Sequence, residues 1–232
     1  MAIAKDGILG GFSGKVGNIV GLTLNGVPIM RAAPKASQKP PTEKQRLQRL
    51  KFSLAIEFTK PFLQITQQFF NQSAFSGERR NLLISYTLQN VIQLQDDEFT
   101  LLWNKFLVSS GDLSGFHHLD VTLQDEALHL TWQDNSSQGF AQPNDEVHLL
   151  LVSENLEQVD FLENIAHRTS TQVTVPLPDW TVEHPAHFYI FMSNTARNQS
   201  CNSFYLGKLE QGILLVMVGR KFRPFFMLSF KN

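Results

Sequence analysis

The sequence contains a single cysteine, Cys201, among its 232 residues. One thiol cannot build an internal disulfide framework, and it provides no cysteine cluster for a metal. Long apolar runs are also absent, since the stretch from Ile213 to Val218 is far shorter than the roughly 20 residues of a spanning helix. Asp6, Lys15 and many glycines interrupt the N-terminus, so it has no continuous apolar segment. We therefore expect no secretion signal, no membrane span and a cytoplasmic location.

Catalytic motifs are missing as well. The glycine-rich stretch GGFSGKVGNIVG differs from a phosphate loop, because Val16 stands where that loop requires the serine or threonine that binds magnesium. No Gly-x-Ser-x-Gly nucleophile elbow is present. The seven histidines lack the short spacings of a zinc site, and the acidic triplet at 96–98 lacks the pattern of a calcium loop. The sequence therefore predicts a protein that is not an enzyme and uses no cofactor or metal.

The N-terminal region does contain a hairpin signal. Two apolar runs flank Asn25-Gly26 in NIVGLTLNGVPIMRA, and Asn-Gly between such runs favours a tight type I′ turn. Pro34, Pro40 and Pro41 then keep the chain extended. Residues 1–41 are predicted to form an extended arm, rich in glycine and proline, that contains a β-hairpin.

A helical segment is predicted over residues 42–112. Thr42 and Gln45 form a capping-box pattern at its start, and Pro61 is expected to kink or end the first helix. Apolar residues at spacings of three and four predict the buried stripe of that helix: Leu47, Leu50, Leu54 and Phe58. A second helical or mixed stretch, RRNLLISYTLQNVI, is expected to contribute four core residues: Leu82, Leu83, Tyr86 and Val91.

Short alternating apolar runs replace the helical pattern after residue 112. Seven such runs, separated by turn residues, favour an antiparallel β-sandwich over 113–207, similar to immunoglobulin or fibronectin type III modules. The runs are HLDVTLQ, ALHLTWQ, EVHLLLVS, QVDFLEN, STQVTVPLP, AHFYIFMS and NSFYLGKL. Trp132 is expected in the core of the sandwich, and residues 208–232 form an apolar and basic tail. The predicted fold class is α+β, mostly β, and we expect the sandwich to fold on its own.

Charge is distributed unevenly along the chain. Residues 1–60 carry a net charge of +7, residues 61–207 a net charge of −12 and residues 208–232 a net charge of +4. This asymmetry favours a partner of opposite sign, such as nucleic acid or a second copy of the chain. The candidate partner-binding residues are Phe12, Lys15, Arg31, Lys35, Arg46, Arg49 and Lys51. For the last three, a solvated basic helix face is the alternative.

Several motifs resemble an uncharacterised family found chiefly in Bacteroidota. They are the FSGKVG arm, the PKASQKPPTEKQ helix start, and the stretches ISYTLQNVI, VSSGDL, TWQDNS and CNSFYLG. The family has no assigned activity, so the resemblance implies no function. The helix start PPTEKQRLQR also resembles small phage-associated virion proteins. The family pattern ends soon after Tyr205 and Gly207, and the following 25 residues form either an added strand and anchor or a tail altered by a shifted reading frame.

Two functional hypotheses follow. The first is a non-enzymatic structural or assembly protein, related to a phage or a filament, that self-associates through the basic arm and the acidic sandwich. The second is a module that binds carbohydrate, protein or nucleic acid. Nucleic acid is the weaker ligand, because Phe12 is the only aromatic residue before Phe52 and single strands need aromatic stacking platforms.

Overall fold

The computed structural model describes residues 3–4, 10–24, 26–35, 40–72, 74, 76–95, 98–210, 212–218 and 221–224. The chain divides into two compact units, Met1–Arg46 and Leu47–Asn232.

The first unit contains an antiparallel sheet of four strands, here called the arm sheet, in the order β1-β2-β3-β4. Its strands are β1 (Ile3–Ala4), β2 (Phe12–Val16), β3 (Ile19–Leu24) and β4 (Val27–Ala32). The predicted hairpin is confirmed, because Leu24 pairs with Val27 and Gly26 has a φ of 81°. Asn25 lies outside the described residues, so the turn type stays a prediction. A second hairpin, in which Val16 pairs with Ile19, was not predicted.

Four helices follow in the described part of the chain: α1 (Glu43–Thr59), α2 (Leu63–Phe69), α3 (Ser76–Tyr86) and α4 (Trp180–Glu183). The capping box is confirmed, since the Thr42 N–H donates to Gln45 Oε1 (3.1 Å) and the Gln45 N–H donates to Thr42 Oγ1 (3.4 Å). The break at Pro61 is also confirmed, because a 3₁₀ turn, Lys60–Phe62, separates α1 from α2.

Two residues that were predicted to lie in the core are exposed instead, so these predictions are wrong. Leu50 is 47% exposed and Leu82 is 37% exposed. The buried residues of α1 all belong to its C-terminal turns: Ala55, Phe58 and Thr59. A helical stripe predicts which side of a helix is apolar, but the length over which a neighbouring layer covers it depends on tertiary packing.

The segment 42–112 is also less helical than predicted. After α3, a π-helical turn at Thr87–Val91 leads into a hairpin of β5 (Ile92–Gln95) and β6 (Glu98–Leu101). The first two residues of the acidic triplet, 96–97, lie between these strands and outside the described residues.

The sandwich matches the prediction strand for strand. Its seven strands are β7 (His117–Gln124), β8 (Ala127–Gln133), β9 (Glu146–Ser153), β10 (Val159–His167), β11 (Gln172–Pro176), β12 (Ala186–Ser193) and β13 (Phe204–Glu210). One sheet has the order β11-β8-β7 and the other contains the run β10-β9-β12-β13. Two antiparallel sheets with these strand orders, between which the chain passes back and forth, are typical of fibronectin type III-like sandwiches. Trp132 is 4% exposed, as expected.

The larger sheet continues beyond residue 207. β14 (Ile213–Val218) pairs with β13, and β15 (Lys221–Pro224) pairs with β14. The tail thus forms strands over these residues, and the choice between an added element and a shifted reading frame stays open. Residues 225–232 and the suggested anchor lie outside the described residues.

The central strands β9 and β12 are buried on both faces. Aromatic residues before the sandwich pack against one face: Trp103 stacks on His187 at 3.9 Å between ring centroids, and Phe69 contacts Phe191 at 5.1 Å. Alternation along β12 turns Phe188 to the opposite face. The helical segment and the sandwich thus share one core, which also includes Phe58, Phe62 and Phe106.

This shared core leads to a prediction about fragments. We expect residues 113–224 expressed alone to melt at a lower temperature than residues 47–224, because removing the helical segment exposes one face of β9 and β12 to water. Thermal melts followed by circular dichroism measure the difference. Equal melting temperatures would show that the sandwich needs no helical layer.

Candidate interaction surfaces

The arm sheet brings two of the predicted residues together. Lys15 lies opposite Val20, and Val20 lies opposite Arg31. Directly opposed residues of an antiparallel sheet project from the same face, so Lys15 and Arg31 flank Val20 there. We call this the basic face, and alternation adds four apolar residues to it: Leu22, Leu24, Val27 and Ile29.

The opposite face of the arm sheet carries Phe12, so we call it the Phe12 face. Phe12 is half-buried, and its ring covers Gly21 so closely that a Cβ there would lie 2.7 Å from the ring and 2.2 Å from the Phe12 carbonyl oxygen. Because glycine has no Cβ, the ring of Phe12 can approach the neighbouring strand this closely. Val16, Ile19 and Met30 share this face.

Both faces of the arm sheet expose apolar side chains. Met30 is 70% exposed, Val27 is 60% and Val16 is 56%. Among the described residues of the first unit, only Gly21 is buried. An isolated sheet gains stability by burying a face against another layer, so this sheet has surface available for a partner.

The remaining predicted residues lie outside the arm sheet. Lys35 is exposed in the segment after β4, and Arg46, Arg49 and Lys51 lie on α1, where Lys51 is half-buried. Arg46 forms an ion pair with Glu43, at 2.7 Å between Nη2 and Oε1. The hydrogen bond from Arg46 lowers the pKa of the Glu43 carboxyl.

The second unit has an open cavity of about 420 Å³ that the sequence did not suggest. We call it the amide cleft, because five of its eight lining residues carry carboxamide side chains. The lining residues are Asn71, Gln72, Ser110, Gly111, Asp112, Asn198, Gln199 and Asn202. Segments far apart in sequence meet here, which is why no local pattern marks the site.

The side chains that could support catalysis or metal binding do not form a recognisable site among the described residues. In the described part of the chain, no three His, Cys, Asp or Glu side chains cluster as a metal site would require. Cys201 is buried, and burial raises the pKa of its thiol to about 11. The thiol is therefore protonated near neutral pH and is a weak nucleophile.

Within the described residues, no helix has both the length and the apolarity needed to cross a membrane.

Comparison with known proteins identifies a family. Residues 11–207 match the model of a group described as "Family of unknown function (DUF6266)", and the chain belongs to that family. The resemblance to an uncharacterised family is thereby confirmed, while its distribution among bacteria and the likeness to virion proteins stay predictions. No curated protein matches the chain significantly.

One solved structure similar to this chain is the solution structure of the fn3 domain of human collagen alpha-1(XX) chain. It is 15% identical, with a TM-score of 0.29, over 51% of this chain and 96% of that domain. Because this similarity is low, the description of the fold depends on the strand order alone.

Proposed function

We propose that this member of the DUF6266 family is a non-enzymatic assembly protein that self-associates through its arm sheet. The observation that supports the proposal is the exposure of apolar side chains on both faces of a sheet that contains only one buried residue within its described part. A contiguous exposed apolar surface with charged neighbours is characteristic of a protein interaction site. A phage or filament setting and a cytoplasmic location remain part of this proposal.

Charge favours a second copy of the chain as the partner. Residues 1–60 carry +7 and residues 61–207 carry −12, so the arm of one molecule complements the sandwich of another. A contact between two different surfaces is heterologous, and repeated heterologous contacts build rings or filaments. Apolar burial would supply most of the affinity, and the charges would steer the encounter.

The proposal is tested by measuring assembly. Multi-angle light scattering at low salt should show oligomers, and raising the salt should weaken them because exposed charges are screened within about 10 Å at 0.1 M. Val27→Glu should weaken association by about tenfold or more, since burying a valine contributes roughly 1.5–3 kcal/mol. Ile213→Glu is the matched control, because Ile213 is 38% exposed and lies outside both the arm sheet and residues 61–207.

Two further variants separate charge from apolar contact. Reversing the charges of Arg46, Arg49 and Lys51 should slow association and remove much of its salt dependence. Deleting residues 1–33 should abolish assembly and leave the circular dichroism of the sandwich unchanged. A full-length protein that is monomeric at high concentration and low salt would overturn the proposal.

A further inference from the structure

We infer that the amide cleft binds a neutral carbohydrate. This inference depends on none of the observations that support self-association, because no residue of the arm sheet is among the described residues that line the cleft. A carboxamide offers both an acceptor oxygen and two N–H donors. Neighbouring sugar hydroxyls also donate and accept, so a cluster of carboxamides is complementary to a polyhydroxylated ligand.

The cleft contains hydrogen-bonding capacity that the described residues do not use. Gln72 Nε2 donates to the carbonyl oxygens of Gln68 (3.0 Å) and Arg197 (3.1 Å), which orients the side chain. Its Oε1 is buried and has no partner among the described residues. A buried acceptor without a partner is costly, so a donor from a ligand would be favourable here.

Three further side chains of the cleft have hydrogen-bonding groups that the described residues do not use. Asp112 and Gln199 are exposed, and neither side chain forms a hydrogen bond to the part of the chain that the structure describes. Asn202 uses only its Oδ1, which accepts from the Gly111 N–H at 3.3 Å, so its amide group is also available. These side chains can turn to a ligand without breaking strong contacts of the fold.

The backbone beneath these side chains is cross-linked. The Ser110 N–H donates to the Phe69 carbonyl oxygen (3.0 Å), and the Asn71 N–H donates to the Ser110 carbonyl oxygen (2.8 Å). Gly111 lies so close to the loop after β12 that a Cβ would be 2.4 Å from the Ser200 carbonyl oxygen. A pre-organised site loses less entropy on binding, which favours affinity.

The lining also determines the class of ligand. Among the described residues that line the cleft, Asp112 provides the only formal charge, a negative one, so phosphorylated or acidic ligands are disfavoured by repulsion. None of the described lining residues has an aliphatic or aromatic side chain, which disfavours lipids and peptides that need an apolar side-chain pocket. Its volume lies within the roughly 300–1,000 Å³ of small-molecule sites. A short neutral saccharide satisfies all three conditions.

Saturation-transfer NMR with the full chain tests the inference. The probes are maltotriose, cellotriose, xylotriose, mannotriose and chitotriose, with trigalacturonate and trialanine for comparison. Because the cleft has no aromatic platform, we expect at least one neutral trisaccharide to bind in about the millimolar range. The charged and peptide probes should give no signal.

Variants assign the signal to the cleft. Gln199→Ala combined with Asn202→Ala should weaken saccharide binding by about tenfold, because two hydrogen-bonding side chains are lost. Gln133→Ala, at an exposed carboxamide on β8, should leave binding unchanged. Absence of signal from all five neutral saccharides, a signal unchanged in the double variant, or binding of trialanine alone would each overturn the inference.

Discussion

Replacing Arg168 with methionine is expected to lower the free energy of unfolding by about 3–5 kcal/mol, because it leaves a buried carboxylate without its counter-charge. Arg168 is 0% exposed, and its Nη2 lies 2.9 Å from Asp145 Oδ2. The same guanidinium donates to Asn135 Oδ1 and to the carbonyl oxygen of Ser114. One side chain therefore joins the segment before β7 to the loop between β8 and β9 at this end of the sandwich.

The backbone of Arg168 takes part in the same network. Its carbonyl oxygen accepts a hydrogen bond from Trp132 Nε1 at 2.7 Å, and its N–H donates to the Asp145 carbonyl oxygen at 2.9 Å. Trp132 also packs against Phe116. Loss of the guanidinium is thus expected to loosen the loop before β9 as well as the ring packing around Trp132.

Urea unfolding followed by tryptophan fluorescence measures the effect of Arg168→Met. The matched control is Arg46→Met, because Arg46 is 60% exposed and pairs with Glu43, whose side chain is 66% exposed. An exposed pair contributes about 0–1 kcal/mol, so this control should be nearly neutral. Adding Asp145→Asn to Arg168→Met should recover part of the loss. Equal effects of the two arginine variants would contradict the importance assigned to the buried pair.

Acidification from pH 6 to pH 4 is expected to destabilise the protein by about 2–3 kcal/mol per pH unit through two buried histidines. Burial, with a smaller contribution from Arg197, lowers the pKa of His148 to about 4. Burial, aided by Lys208, lowers the pKa of His187 to about 3. The unfolded chain binds protons near pH 6.5 and the folded chain does not, so stability is retained above that pH and lost below it.

The contacts of both histidines agree with neutral rings. The Asn164 N–H donates to His148 Nδ1 at 3.3 Å, so the proton of the neutral ring lies on Nε2, which is 2.8 Å from Ser193 Oγ. His187 stacks on Trp103, and its Nδ1 lies 2.8 Å from the Tyr205 hydroxyl. Protonation would place a charge inside the aromatic core, and within the described part of the chain only His148 has a carboxylate nearby, that of Glu146 at 3.8 Å, which already pairs with Arg197.

Urea midpoints measured between pH 4 and pH 7 test this prediction. The double variant His148→Gln/His187→Phe should be less stable near neutral pH, yet its stability should depend less steeply on pH, by about two protons. Each single variant should reduce the slope by about one proton. His117→Gln, on an exposed histidine, is the control. A double variant with the original slope would show that other groups cause the acid sensitivity.

Local pattern was enough to predict much of this protein. The seven sandwich strands, the Leu24–Val27 hairpin, the capping box at Thr42 and the break at Pro61 each depend on residues close together in sequence. Turn chemistry, side-chain alternation and proline geometry act over a few residues, so they can be recognised without a structure. Membership of an uncharacterised family followed from motifs of the same local kind.

Local sequence patterns predicted only part of the arm sheet. The hairpin at Leu24–Val27 was predicted, but the second hairpin between β2 and β3 was not, although Gly17-Asn18 is itself a two-residue turn signal. Candidate residues Lys15 and Arg31 were chosen for their charge. Their position on one face follows from the register of three strands.

The sequence by itself determined the seven sandwich strands, one hairpin of the arm, the break of the first helix at Pro61 and the unequal distribution of charge. Only the tertiary structure decided that β9 and β12 are covered on both faces, although the unbroken apolar run in EVHLLLVS was a signal for it. It also decided that Arg168 lies buried beside Asp145, and that Asn71, Gly111 and Asn202 line one cleft. The physical reason is sequence separation, since these contacts join residues 23 to 131 positions apart, and such pairings depend on how whole layers pack.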